Sequence, residues 1–191
     1  MLKNIDGLAD ISKDIILALQ KLYQVESDKL EQFAEWGLSC EGWLTCEIMY
    51  YISNKYYRWM TPRYNKETQF RADISFSETA KNYNDYEKMS FIEIKIHNNR
   101  TDNSYLFKFD EDLISLLNVK NGMPHYFLFI SFNTSKKIAK AKKFHNDVKE
   151  YIHKLNKKMV FNNKSMSIVY ENLPKEGYSF SVLLCETNFE G

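Results

Sequence analysis

The chain has 191 residues, a formal net charge of +1 and 44% hydrophobic residues, enough for one ordinary domain with a sizeable core. Near-neutral charge excludes a chain that is cationic throughout, so any nucleic-acid contact has to come from a local patch; no apolar run is long enough to span a bilayer. The start shows no signal-peptide pattern, and Cys40, Cys46 and Cys185 lack CxxC spacing, so the expectation is a cytoplasmic protein with reduced thiols.

Ile11, Ile15, Ile16, Leu19 and Leu22 recur at helical spacing, which predicts an amphipathic helix over about residues 8–24. Ser27 and Asp28 can cap a second helix through Phe33 to Trp36, ended by Gly37. Residues 1–37 therefore read as a helical extension, a packing or oligomer surface without chemistry of its own. Ser39 can cap a third helix running to about Asn54, with Leu44, Ile48, Tyr51 and Ile52 on one stripe. Glu41 lies at the centre of that stripe and Glu47 well away from it. Glu41 is either a wet carboxylate favoured by the helix dipole in the first turn or an acid aimed at a sheet. Residues 56–60 are β-rich and make a first strand, broken at Thr61-Pro62.

Two strands follow. Over residues 69–76, Phe70, Ala72, Ile74 and Phe76 alternate with Arg71, Asp73 and Ser75; over residues 91–97, Ile92, Ile94 and Ile96 alternate with Phe91, Glu93, Lys95 and His97. Asp is disfavoured inside strands, so Asp73 needs a reason to be there. The polar run between them reads as the loop of an antiparallel hairpin, which puts Asp73 opposite Glu93 or Lys95. Taken alone, the second strand is an edge with a solvated Glu/Lys face. Taken with Asp73, it is a convergence of two acids and a lysine, and two neighbouring carboxylates hold together best around a divalent cation. Arg71 is either a phosphate contact or the salt-bridge partner of a nearby acid. His97 either borders this group or ends its strand at the surface.

Asp110 or Asp112 then opens a helix carrying Leu113, Leu116 and Leu117 and ending near Gly122 and Pro124. Residues 126–130 form a continuous apolar run, a strand covered on both faces, so strand, helix, strand makes a right-handed crossover with a parallel pair. Residues 135–157 form a long helix with Ile138, Ala141, Val148, Ile152 and Leu155 on one side. Its Lys136, Lys137, Lys140, Lys143, Lys149 and Lys154 are either a solvated face or a duplex-backbone contact. Two strands, 166–170 and 178–184, extend the sheet or form a flanking hairpin. The four histidines show no zinc-like spacing, and there is no P-loop.

Asp73 followed by Glu93-Ile94-Lys95 resembles the PD-(D/E)xK nuclease superfamily, the fold of many restriction enzymes, resolvases and repair nucleases. Ala72 stands where the eponymous Pro would be. The resemblance covers about residues 39–134, and the order helix, three strands, helix, strand is that of the superfamily core. It implies a single α/β domain over 1–191: a restriction-endonuclease-like core with a central mixed sheet flanked by helices, to which 1–37 and 135–191 add a helical extension, a further helix and C-terminal strands. It also implies Mg²⁺, or Mn²⁺, held by Asp73, Glu93 and the Ile94 carbonyl with help from Glu41, and Lys95 orienting an attacking water. The implied activity is a Mg²⁺-dependent endodeoxyribonuclease of restriction or defence type, acting on double-stranded DNA and compatible with a homodimer. The alternatives are a binding or immunity protein that keeps the fold without catalysis, and an RNA endonuclease.

Overall fold

In the computed structural model, residues 10–36, 40–52, 57–59, 72–77, 85–97, 105–132, 134, 138–158, 164–173 and 180–189 are described. The apolar run at Tyr126–Phe132 has no polar face to offer water, and every one of its residues is buried. A strand of that kind needs a packed layer on each side. Tyr126, Leu128, Ile130 and Phe132 join one core with Ile15, Leu19, Leu44 and Ile48, whereas Phe127 and Phe129 join another with Leu113, Leu116, Val148 and Ile152. The architecture is therefore three layers, helices on both faces of one sheet.

In chain order the elements are α1 (Asp10–Trp36), α2 (Glu41–Tyr51), β1 (Tyr57–Trp59), β2 (Ile74–Ser77), β3 (Ser90–His97), α3 (Tyr105–Leu117), β4 (Tyr126–Phe132), α4 (Ile138–Lys158), β5 (Lys164–Asn172) and β6 (Phe180–Phe189). The described strands form one six-stranded mixed sheet in the order β1-β2-β3-β4-β6-β5. The expected hairpin is present as the antiparallel β2–β3 pair, and the expected crossover as the parallel β3–β4 pair. The C-terminal strands extend the sheet, with β6 antiparallel to both β4 and β5. No described helix is long and apolar enough to cross a membrane.

Several boundaries differ from expectation for local reasons. The two expected N-terminal helices are both present, joined across a kink at the non-helical Glu26 (φ −119°, ψ 23°) and grouped together as α1; Leu30 and Ala34 keep the apolar stripe on the core beyond the kink. The residue at the N-cap of α2 is Cys40, without a side-chain hydrogen bond, and Ser39 lies outside the described residues. The stripe of α2 is as expected, with Leu44, Ile48 and Ile52 buried. The strand expected over 69–76 is present as Ile74–Ser77, with 69–71 outside the described residues. Ala72 falls in the α3/α4 core while Ile74 and Phe76 fall in the other, because the backbone bends at Asp73 and breaks the alternation. Helix α3 starts at Tyr105, so neither Asp110 nor Asp112 is its cap. Beyond its end the Lys164 ammonium donates to the carbonyls of Val119 (2.6 Å) and Asn121 (3.1 Å), and burial draws its pKa down to about 8. On α4, Lys143, Lys149 and Lys154 each pair with an acid, Asp147, Glu171 and Glu150.

Candidate functional site

The register of β2 against β3 pairs Ile74 with Ile92, and one further step sets Asp73 beside Glu93. Asp73 is not in the strand interior. It occupies the bend before β2, and its Oδ2 accepts the Ile94 N–H at 2.7 Å. The carboxylate takes a place in the ladder that the bent backbone leaves, which explains an Asp at a position a strand would reject.

Glu93 and Lys95 are two residues apart on β3, so they share a face. Lys95 Nζ lies 2.5 Å from Glu93 Oε1 and 2.8 Å from Asp112 Oδ2, the latter reaching in from α3. Glu93 is 4% exposed. Glu41, half-buried in the first turn of α2, interacts through space with Lys95, Asp73 and Asp112. Four carboxylates on four elements or their ends thus surround one ammonium. Of the residues singled out in the sequence, Glu41, Asp73, Glu93 and Lys95 are brought together. Among the described contacts none joins Glu47 to them.

The electrostatics follow from that ratio. Burial, then the charge of Asp73, pushes Glu93 up to about 8 despite Lys95. Asp73 is raised by burial, with the Ile94 N–H and Lys95 pulling it back. Glu41 is raised by burial and by the charges of Asp73 and Asp112, offset in part by Lys95. Burial would depress the Lys95 ammonium, but Glu93 and Asp112 outweigh it and the pKa rises. The group carries more negative charge than its single lysine neutralises, which suits a hard cation with oxygen ligands. Among the described residues, however, no three His, Cys, Asp or Glu side chains are placed to hold a metal ion together. The donor chemistry fits a divalent cation, and Glu93 would have to leave Lys95 to serve one.

Three candidates remain: His97, Ile94 and Arg71. His97 is neither at the border of this group nor at the surface: it is 1% exposed, stacked on Phe144 of α4 at 3.9 Å, with Nδ1 3.1 Å from Ser131 Oγ. The helix α4 covers that end of β3, and burial, with Lys140 and His145 nearby, holds the imidazole down at about 4. Ile94 is fully buried and meets Asp73 through its N–H. Arg71 lies outside the described residues.

Asp112 was not singled out as a site residue because it read as a helix cap. With α3 begun at Tyr105, Asp112 stands one turn before Leu116, at the margin of the stripe Leu113, Leu116 and Leu117 that packs on the sheet. That phase was the available signal. Set against protein-family models, curated proteins and solved structures, the chain matches none.

Proposed function

We propose that this chain is a metal-dependent nuclease with a restriction-endonuclease-like core, cleaving phosphodiester bonds in double-stranded DNA. One observation carries the reading: Asp73, Glu93 and Lys95 share one patch with Glu41, although they come from three separate stretches of chain. Asp73 and Glu93, with the Ile94 carbonyl and Glu41, would hold Mg²⁺ or Mn²⁺. Such a cation supplies Lewis-acid stabilisation of charge developing on the phosphoryl oxygens. Lys95, paired with Glu93 and Asp112, would donate a hydrogen bond to an attacking water and orient it. The surplus of carboxylates keeps phosphate away until it is neutralised, so substrate entry depends on the cation. A restriction or defence endonuclease, working in the cytoplasm alone or as a homodimer, is the setting this chemistry suits.

The test is nicking of supercoiled plasmid with Mg²⁺, run beside single-stranded DNA and RNA. Lys95→Ala should abolish cleavage while duplex affinity stays within about threefold, because one cation among many contributes modestly to binding. Full cleavage by Lys95→Ala would remove the lysine from the mechanism. A binding protein without catalysis is the second reading. Its support is that Lys95 is already paired with Glu93 and Asp112, and it predicts duplex binding with no nicking under any metal.

A further inference from the structure

Lys95 has two carboxylate partners, and they differ in kind. Glu93 is on the same strand with its side chain 5% exposed; Asp112 comes from α3 with its side chain 36% exposed. A carboxylate oxygen that accepts from Lys95 is not available to a cation. If Glu93 serves a divalent ion, as in the function proposed above, the ammonium loses that partner while its own side chain stays 14% exposed. A charge so enclosed is strongly disfavoured without a counter-charge. Asp112 already stands at 2.8 Å, so Lys95 can shift its hydrogen bonds without leaving its place.

We propose that Asp112 is a positioning residue: it receives the Lys95 ammonium when Glu93 turns to a divalent cation, and thereby lowers the competition between lysine and metal for Glu93. The inference rests on the metal-dependent reading and names a residue that reading does not need as a ligand. Removing Asp112 leaves Glu93 as the carboxylate in contact with Lys95, and metal binding must then break that pair with no second carboxylate in contact to take the ammonium. Asp112 acts only through Lys95, so its loss should matter only while Lys95 is present.

A double-mutant cycle on Mn²⁺ binding by the full chain, measured calorimetrically without nucleic acid, isolates this coupling. In the wild-type background Asp112→Asn should weaken Mn²⁺ binding by about tenfold or more, whereas in Lys95→Met it should change it by no more than about two- to threefold. Lys95→Met keeps much of the stem's volume, and Asp112 is exposed enough that Asn should fold. Equal losses in both backgrounds would overturn the proposal, since a direct ligand or a general negative field weakens binding regardless of Lys95. No loss in the wild-type background would overturn it as well. A chain that takes up no Mn²⁺ in any variant sinks the metal-dependent reading and this inference with it; Mn²⁺ uptake indifferent to Asp112 sinks the inference alone.

Discussion

Glu93 is held far from its ordinary titration by its surroundings. Its ordinary pKa of 4.5 rises to about 8, chiefly through burial and then through Asp73. Its contribution to stability is therefore full below pH 4.5 and is lost as the pH rises through about 8. Glu93→Gln holds the neutral form at every pH. It should raise stability at pH 8 by about 1 kcal/mol, roughly 2–4 °C in Tm for a chain this size, with the gap closing toward pH 4.5. Thermal melts of both proteins across that range check it; a variant melting below wild type at pH 8 means the ion pair with Lys95 outweighs burial. The same side chains mark how far residue-level reading reached. Asp73, Glu93 and Lys95 were legible because a period of two sorts a strand into faces, and their polar face had no bland use once two strands were aligned. Asp112 was not, because a carboxylate before an apolar helical run looks the same as a cap until the helix start is known. His97 was misjudged because alternation gives a face but not what covers it, and here the cover is Phe144.

At the level of elements, α2 shows what helical phase can decide. Leu44, Ile48 and Ile52 are buried as their spacing required, and Glu41 on that stripe joins the acidic group. A half-buried carboxylate there is eased by Lys95 or another cation nearby. Glu41→Gln should reduce cleavage by two or more orders of magnitude with little change in melting temperature, while Glu47→Gln should be nearly silent. Parallel rate measurements and melts on the two variants decide it, and the reverse order of effects would hand the role to Glu47. Hydrophobic pattern identified nearly every described element, since β3 and α4 carry clear periods and β4 is a continuous apolar run. It did not give the start of α3, because the residues from 105 to 109 mix apolar and charged types; it did give the two segments of α1, which meet at the non-helical Glu26. The lysines of α4 read as one charged face, yet Lys143, Lys149 and Lys154 have acids of their own, a pairing no single-helix pattern reveals for Glu171 on β5.

Across the whole molecule two sets of buried groups pull stability in opposite directions with pH. Burial holds His97 and His145 at about 4 against an ordinary 6.5, and His125 well below it. These imidazoles are neutral inside, so the stability they confer is present above pH 6.5 and is lost as the pH falls from there toward 4. Glu93 runs the other way, losing stability as the pH rises from 4.5 through 8. Below pH 6.5 the three histidines outweigh the raised carboxylates, Glu93 and, shifted in the same direction, Asp73 and Glu41; above it Glu93 sets the slope. Stability should therefore peak near about pH 6.5, below the pI of 7.6, and fall by a few kcal/mol by about pH 5. Urea unfolding midpoints from pH 5 to 8 test this, and a midpoint that climbs steadily to pH 8 contradicts it. Glu93→Gln should flatten the alkaline side of the curve and steepen the acid side, since its titration no longer opposes the histidines there.

The strand order has a consequence for how the protein is made. β6 is the latest of the described strands, yet it lies inside the sheet, between β4 and β5. A nascent chain that has emerged through β4 can pair that strand with β3, but the other edge of β4, seven fully buried residues once folded, stays open until residues 180–189 arrive. An apolar edge left waiting is a template for pairing with a neighbouring chain. Yield from a ribosome should thus depend on how quickly β6 is delivered, far in sequence from the acids and the lysine of the candidate site.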